Sequence, residues 1–403
     1  MTKIGIIKEG KIPIDKRVAL TPAQAAQCLE KYDSLEVVAQ RSPIRCFEDS
    51  TYEQYGIQTS DQVDDCDILL GVKEVPIEEL IPDKTYFFFS HTIKKQPYNR
   101  ELLNAILDKK IRMIDYEALL DTNGKRIIAF GRWAGIVGAY NAIWAFGKRY
   151  NLYSIRRANE CFDLEDLKSE YPKVKLPNIK IALSGGGRVS KGAMEVLLGM
   201  GISKVTPKAF IDEHFDTPVF TVLNSRDYHQ RIKGGEFSRN EFYNTPSEYK
   251  GDFVKYTRHA DILIAGAFWS PDQPVLFNRQ DILHGDFKTN LIADITCDIE
   301  GSIPSTKMPT TIDDPLYDYN PSEDAVEPAL SDEANITVMA IDNLPCELPR
   351  DASESFGTEL LHNVLPHLLG NDEFKIIEKA TITKDGQLTE HFKYLQDFVD
   401  GKE

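Results

Sequence analysis

With 403 residues the chain exceeds one typical core and accommodates two domains. Its 42% hydrophobic and 27% charged content is that of an ordinary globular protein. A formal net charge of -16 argues against nucleic acid or an anionic membrane as the main partner, since either needs a basic face to displace counterions.

Cys28, Cys46, Cys66, Cys161, Cys297 and Cys346 are scattered, without a C-x-x-C pair or a histidine-adjacent cluster, so neither a metal site nor a disulfide framework is expected. Reduced thiols in the cytoplasm are the default. The N-terminus, MTKIGIIKEGK, lacks the extended apolar core of a signal peptide, and no apolar run approaches the ~20 residues needed to span a bilayer.

In chain order, KIGIIK from Lys3 opens as a strand, and Thr21-Pro22 before AQAAQCLEKY reads as a capped helix start with proline in its first turn. Short strands are predicted at 35–39, 68–72, 85–90 and 111–115 with helices between them, a doubly wound α/β pattern. GIVGAYNAIWAFGKRY, 135–150, is a predicted long helix crossing to the next unit, and 151–177 is a polar, irregular insertion. NIKIALSGGGRVSKGAMEVLLGMGISKV, 178–205, then reads as strand, glycine-rich turn, amphipathic helix and second strand, the opening of a dinucleotide-binding βαβ unit. Gly185 and Gly187 permit the turn and the approach of a pyrophosphate, and Gly192 permits close packing of helix on strand. Ser190 stands where the usual third glycine would be, so an ordinary strand-turn-helix corner is the alternative. DILIAGA (261–267) and NLIAD (290–294) are unalternating apolar runs, as buried parallel strands are. Residues 302–333 read as loops around a cleft, 336–341 as a strand, 353–369 as an amphipathic helix and 375–402 as a helix-ended tail.

Lys73 ends the run LLGVK and His91 ends TYFFFSH, so both fall at carboxyl ends of predicted parallel strands, where open α/β sheets place their ligands. A partly desolvated lysine and a histidine can together move protons to and from a carbonyl oxygen or an amine. A surface lysine and a capping histidine are the plainer alternative. Arg17 suits a bidentate grip on a carboxylate, against a surface ion pair with Asp15 or Glu9. Arg132 and the pair Lys94-Lys95 are similar candidates, and Glu117, at another strand end, could hold an ammonium group. Asn343, in AIDNLPCELPRDAS, begins a turn that could present an amide to a cleft.

KRVALTP, GVKE, YFFFSHTIKKQ, IRMIDYEALLDTNGKRIIAFGRWAG, GGGRVSKGA, ADILIAGAFW, IADITCDIEGSI and MAIDNLPCELPRDASESFG together resemble the lysine-2-oxoglutarate reductase half of the bifunctional aminoadipic semialdehyde synthases. That half groups with the lysine-forming saccharopine dehydrogenases and, more distantly, with the alanine dehydrogenases. The resemblance implies two Rossmann-like doubly wound α/β domains with an interdomain cleft. The first, substrate-carrying domain would take 1–134 plus 343–403, and the dinucleotide-binding domain 135–342. It also implies Lys73 and His91 as the acid-base pair, Arg17 on an oxoacid carboxylate, and Glu117, Arg132 and Lys94 around the rest of the substrate. The cofactor would meet the loop from Gly185 through Gly187, Arg188, Val189 and Ser190 to Gly192, the aspartates Asp294 and Asp298, and the turn at Asp342 and Asn343.

The activity so implied is reversible reductive condensation of L-lysine with 2-oxoglutarate to saccharopine, with a nicotinamide cofactor and with a separate saccharopine-cleaving enzyme to take the product. The competing readings are an alanine-dehydrogenase-like enzyme and a non-catalytic nucleotide-binding regulator. The cofactor is read as NAD(P)(H). No acidic residue stands about 20 positions beyond the glycines, while Lys204, Lys208 and Arg188 offer charge to a 2′-phosphate, which favours NADP(H), with Asp212 as the alternative ribose partner.

Overall fold

The computed structural model describes residues 1–402. The chain divides into two compact units, one built from Met1–Phe130 together with the segment from Pro349 onward, the other from Gly131–Leu348. Residues 131–134 and 343–348, which the sequence reading gave to the substrate domain, therefore pack within the second unit.

The first unit is built on strands β1 (Thr2–Ile6), β2 (Leu35–Gln40), β3 (Gln58–Ser60), β4 (Ile68–Leu70), β5 (Thr85–Phe88) and β6 (Arg112–Asp115), ordered β6-β5-β4-β1-β2-β3 and mutually parallel. The run of apolar residues in each strand follows from burial on both faces. Phe87 and Ile114 enter one hydrophobic cluster, and Tyr86, Phe88 and Met113 enter another. Each fully buried side chain of this kind contributes about 1.5–3 kcal/mol. The helix Pro22–Lys31 starts as its sequence predicts, with Thr21 Oγ1 accepting from the Gln24 backbone N–H and Gln24 Oε1 from that of Thr21. Gln24 Nε2 also donates to the Glu354 carbonyl at 2.7 Å, tying the returning segment to the first helix.

That returning segment departs from the single helix expected over 353–369. It forms Pro349–Asn363 and then Leu365–Leu369. Pro366 has no N–H to donate and would clash with a carbonyl one turn earlier, so the helix breaks there.

In the second unit, strands β7 (Lys180–Ser184), β8 (Ser203–Val205), β9 (Val219–Leu223), the hairpin β10 (His229–Arg231) and β11 (Tyr249–Gly251), β12 (Ile262–Ala265), β13 (Leu291–Asp294), β14 (Tyr317–Asn320), β15 (Ala325–Glu327) and β16 (Ile336–Met339) follow in order. All but the hairpin form one sheet, β15-β14-β16-β13-β12-β7-β9-β8, in which β14 alone runs against the other strands, antiparallel to both β15 and β16. Three expectations are corrected here. The long helix runs Gly131–Arg149 and lies wholly in this unit rather than crossing into it. The stretch 302–333 is not loop throughout, since β14 and β15 extend the sheet. After the glycine-loop helix, β8 is a short edge strand, and Thr206 caps a further helix, Pro207–Asp212, so β9 and not β8 lies beside β7.

The C-terminal residues of the first unit are also more than a tail. Strands β17 (Thr381–Lys384) and β18 (Gln387–Leu388) form a hairpin, and β17 adds antiparallel to β6, with Thr383 Oγ1 donating to the Ile111 carbonyl at 2.7 Å.

Candidate functional site

Strands β4 and β5 are parallel neighbours, with Leu70 opposite Phe87, so Lys73 and His91 follow at the same end of the sheet. The backbone N–H groups of Val72 and Lys73 donate to the two oxygens of Glu9, at 2.7 and 2.8 Å, which clamps the turn that presents Lys73. Burial, then the nearby charges of Arg17 and Lys11, holds the Lys73 ammonium below its usual range, so its neutral form becomes accessible nearer neutrality. Burial and the neighbouring Asp15 carboxylate push Glu9 up to about 8, against those two hydrogen bonds.

His91 takes a left-handed backbone, φ 54°, a conformation costing about 1–3 kcal/mol for a non-glycine residue. The preceding residue is anchored, for Ser90 donates its backbone N–H and its hydroxyl to Asp115 Oδ2, at 3.0 and 2.5 Å. The imidazole lies stacked against Phe89, ring centroids 6.4 Å apart, with Nδ1 2.5 Å from Glu74 Oε1. Lys11 Nζ reaches the other Glu74 oxygen at 2.8 Å. Burial by itself would raise the Glu74 carboxyl, but the hydrogen bonds from His91 and Lys11 overcome it and bring it down to about 2. An ionised Glu74 directs a proton to Nδ1 and leaves the Nε2 lone pair as the base.

Arg17 is not the open guanidinium that the sequence suggested. It is 2% exposed, its Nε and Nη2 meet Asp15 Oδ1 and Oδ2 at 3.0 and 2.5 Å, and its plane stacks over Phe130 at 4.1 Å. Glu117 accepts Arg126 Nη2 on Oε1 at 2.8 Å and has Lys94 Nζ at 3.9 Å, so Lys94 is drawn to a carboxylate rather than standing alone. The other oxygen of Glu117, Oε2, is buried with no hydrogen-bond partner among the described residues, as a carboxylate built to take an ammonium would be. Arg132 belongs to the second unit, where it pairs with both oxygens of Glu195 at 2.8 and 2.6 Å and stacks on Trp133.

In the second unit, Gly185 adopts φ +92°, open to glycine without strain, and its N–H donates to the Leu223 carbonyl at 2.7 Å. Gly187 differs from the sequence picture. Its φ is −87°, and a Cβ added there meets nothing, so the residue leaves room in front of the helix Arg188–Gly199 without any backbone demand. No side chain caps that helix, whose first residues are Arg188, Val189 and Ser190. Uncapped first-turn N–H groups beside an open glycine fit a pyrophosphate. Ser190 Oγ turns inward to the Ser184 carbonyl at 3.0 Å. Gly192 packs against a helix and not, as expected, a strand: its Cβ would strike the Arg132 carbonyl, and a Cβ on Gly135 would strike that of Val189. The two helices thus meet backbone to backbone.

Asp294 is engaged by its own loop. Oδ1 accepts from the Thr296 N–H and hydroxyl and from the Cys297 N–H, and Oδ2 from the Thr306 hydroxyl, which fixes the loop after β13. The backbone carbonyl of Asp298 closes a turn onto Gly301. Asp342 lies exposed just past β16, and the Asn343 carbonyl accepts from the Cys346 N–H. Sequence reasoning missed the end of β9, where Asn224 stands beside the glycine loop and is followed by Ser225 and Arg226; a Cβ on Gly186 would strike Asn224 Oδ1. Asp227 is already occupied, accepting the Asn224 N–H at 2.7 Å, while Arg226 is mostly exposed. Lys208 is paired with Asp212, and Lys204 lies on the edge strand β8. Glu9 and Glu74 were missed as well; Glu74 lay within GVKE, without a signal of its burial.

No group of His, Cys, Asp or Glu among the described residues is placed to hold a metal, and no described helix is long and apolar enough to cross a membrane. Residues 5–137 match the alanine dehydrogenase/PNT N-terminal domain. An alpha-aminoadipic semialdehyde synthase of Arabidopsis thaliana is 27% identical over 97% of this chain and 41% of its own length. The mitochondrial protein of that name from Mus musculus is 30% identical over 91% of this chain and 45% of its own. The chain thus spans less than half the length of these relatives. A saccharopine dehydrogenase (NAD(+), L-lysine-forming) of Yarrowia lipolytica is 27% identical over 88% of this chain and 89% of its own. A solved L-alanine dehydrogenase shares the fold, with a TM-score of 0.66, 18% identity and 99% of each chain covered. Over 5–137 the chain is thus similar to the alanine dehydrogenase/PNT N-terminal domain, and over most of its length it is similar to the lysine-forming saccharopine dehydrogenases and to part of the aminoadipic semialdehyde synthases.

Proposed function

We propose that the chain catalyses the reversible reductive condensation of L-lysine with 2-oxoglutarate to saccharopine. The observation that carries this reading is the pairing of a desolvated Lys73 with a Glu74-oriented His91 at the ends of adjacent strands, in a domain of alanine dehydrogenase/PNT type.

The reaction needs a proton removed before nitrogen attacks and one delivered before water leaves. His91 Nε2 takes the proton that the ε-ammonium of lysine must lose before nitrogen attacks the keto carbon. Lys73, cycling between ammonium and amine, protonates the carbinolamine hydroxyl so that water departs and the imine forms. Arg17, held by Asp15 and Phe130 and almost fully buried, receives a carboxylate of the oxoacid once its pair with Asp15 opens, and Lys94 lies near a second. Glu117, with its unpartnered Oε2, takes the α-ammonium of lysine. A nicotinamide dinucleotide, when bound, supplies the hydride that reduces the imine carbon.

The loop from Gly185 to Gly192 is the place we assign to the pyrophosphate of that dinucleotide. The end of β9 supports NADP(H) over NAD(H), because Asn224, Ser225 and Arg226 offer amide, hydroxyl and guanidinium there and the one carboxylate, Asp227, is spent on its own helix cap. None of the six cysteines is in a disulfide, which suits the cytoplasmic setting we assign to it.

Turnover is tested by following nicotinamide absorbance with lysine plus 2-oxoglutarate against pyruvate plus ammonia, each with NADPH and with NADH. Oxidation with lysine and 2-oxoglutarate is the expected result. Turnover confined to pyruvate and ammonia would give the chain to the alanine dehydrogenase reaction.

A further inference from the structure

At the opposite end of the first unit's sheet from Lys73 and His91, a cavity of about 510 Å³ opens between the start of β6 and the returning C-terminal segment. Arg112, the first residue of β6, lines it together with His367, Lys384 and His391. Two of these carry unmet hydrogen-bonding capacity: Nε of Arg112 and Nδ1 of His367 are buried without a hydrogen-bond partner among the described residues. Buried donors left unmatched by protein are uncommon and ask for a partner from outside.

The carboxylates that line the same cavity are already engaged. Asp372 accepts the N–H groups of Ile376, Ile377 and Glu378 at 2.7 to 3.0 Å, holding the start of the helix Ile376–Ala380, and lies 3.7 Å from His367. Glu378 is paired with Lys375, and Glu390 with Lys393. With two of the three acids neutralised by lysines and the third committed to a helix start, the groups with capacity to spare are Arg112, Lys384 and the two histidines. The donors of these four side chains, beside carboxylates each already paired with a lysine or holding a helix start, set the chemistry of the cavity.

We propose that this cavity is a second binding site, for a small oxyanion, either a carboxylic acid or a phosphate, with the Arg112 guanidinium as its principal partner. A guanidinium presents planar paired donors that match two oxygens of either group, and the histidines supply further donors around it. The site is separate from the candidate catalytic residues by the length of β6, whose far end carries Asp115 and leads to Glu117.

Citrate and inorganic phosphate, titrated separately into the full chain by calorimetry, test the assignment. For at least one of the two, the wild-type chain should show a binding component that weakens tenfold or more in Arg112→Gln and is partly restored in Arg112→Lys. Uptake of citrate alone marks a carboxylate site, and of phosphate alone a phosphate site. Turnover without either anion should be unchanged in both variants, which also reports their folding. Should Arg112→Gln fail to fold, the exposed pair Lys384→Met with His391→Gln carries the same comparison. The proposal is overturned if neither anion binds the wild type, or if the variants bind both with wild-type affinity.

Discussion

Glu74 Oε1 and His91 Nδ1 are joined at 2.5 Å, and the carboxylate that makes this bond is held ionised down to about pH 2 by His91 and Lys11 together. The bond selects the imidazole tautomer, so Glu74 acts on the reaction chiefly through His91, its charge also bearing on the Lys73 ammonium. Lys73→Met and His91→Gln should each lower saccharopine formation by about 10²-fold or more, the loss typical of removing an acid-base group. Glu74→Gln should cost about tenfold, because an amide can accept or donate at Nδ1 and no longer fixes the proton. Cofactor affinity, measured by direct titration, should be unchanged in all three; wild-type rates in the first two would remove them from the chemistry.

The pH dependence of stability carries a signature of Glu9. Its folded carboxyl titrates near 8, well above the unfolded value of about 4.5, so the folded chain holds more protons than the unfolded one between those limits. Stability should therefore fall as pH rises from about 5 to 8. Glu9→Gln mimics the protonated form and should flatten this slope, a result read from chemical denaturation at pH 5, 6.5 and 8. A slope equal to that of the wild type would assign the loss to other groups.

Arg17→Ala is expected to do two things at once. It leaves Asp15 buried without its partner, a loss of about 3–5 kcal/mol of stability. It should also raise the apparent KM for 2-oxoglutarate, since a carboxylate loses its charged partner. A drop in stability with an unchanged KM at permissive temperature would make the Arg17 and Asp15 pair a structural brace alone.

Two glycines of the glycine loop should separate folding from the proposed cofactor binding. Gly187→Val has open space and an ordinary φ, so it should fold normally and lose cofactor affinity. Gly192→Val drives a side chain into the Arg132 carbonyl and should destabilise the second unit by about 1–3 kcal/mol or more. Circular dichroism melts alongside cofactor titration distinguish them; retained affinity in Gly187→Val would place the dinucleotide elsewhere.

Cofactor choice should depend on the end of β9. Arg226→Ala is expected to weaken NADPH by roughly tenfold to a hundredfold, the loss of a charged hydrogen bond of about 1.5–3 kcal/mol, and to leave NADH nearly unaffected. Equal kcat/KM for NADPH in variant and wild type would disconnect Arg226 from the 2′-phosphate.

The parts of this fold legible in the sequence are those whose signal is local. Runs such as ILL and ILIA are apolar throughout because both faces of the sheet are covered, and the polar residues that end them fall at the carboxyl edge, which is how Lys73 and His91 were found. Thr21 announced its helix by the same locality. Glu9 gave no such signal, for its clamp on Val72 and Lys73 joins positions 63 and 64 residues apart. Strand β9 was hidden differently: VFTVL is as short as an apolar loop segment, and only the crossover that sends β8 to the edge makes it the neighbour of β7. The hydrogen bonds by which Asp294 braces its own loop reach Thr306, twelve residues on, and gave no local signal.

The hairpin of β17 and β18 has a practical consequence for anyone trimming or fusing this polypeptide. It shields the outer edge of β6, whose segment Arg-Met-Ile-Asp would otherwise present unpaired backbone donors and acceptors beside a buried apolar layer. A protein cut after Leu369 would expose that edge as a template for strand addition from a second chain. Insolubility of such a truncated product would then report a lost edge guard and carry no information about the candidate catalytic residues.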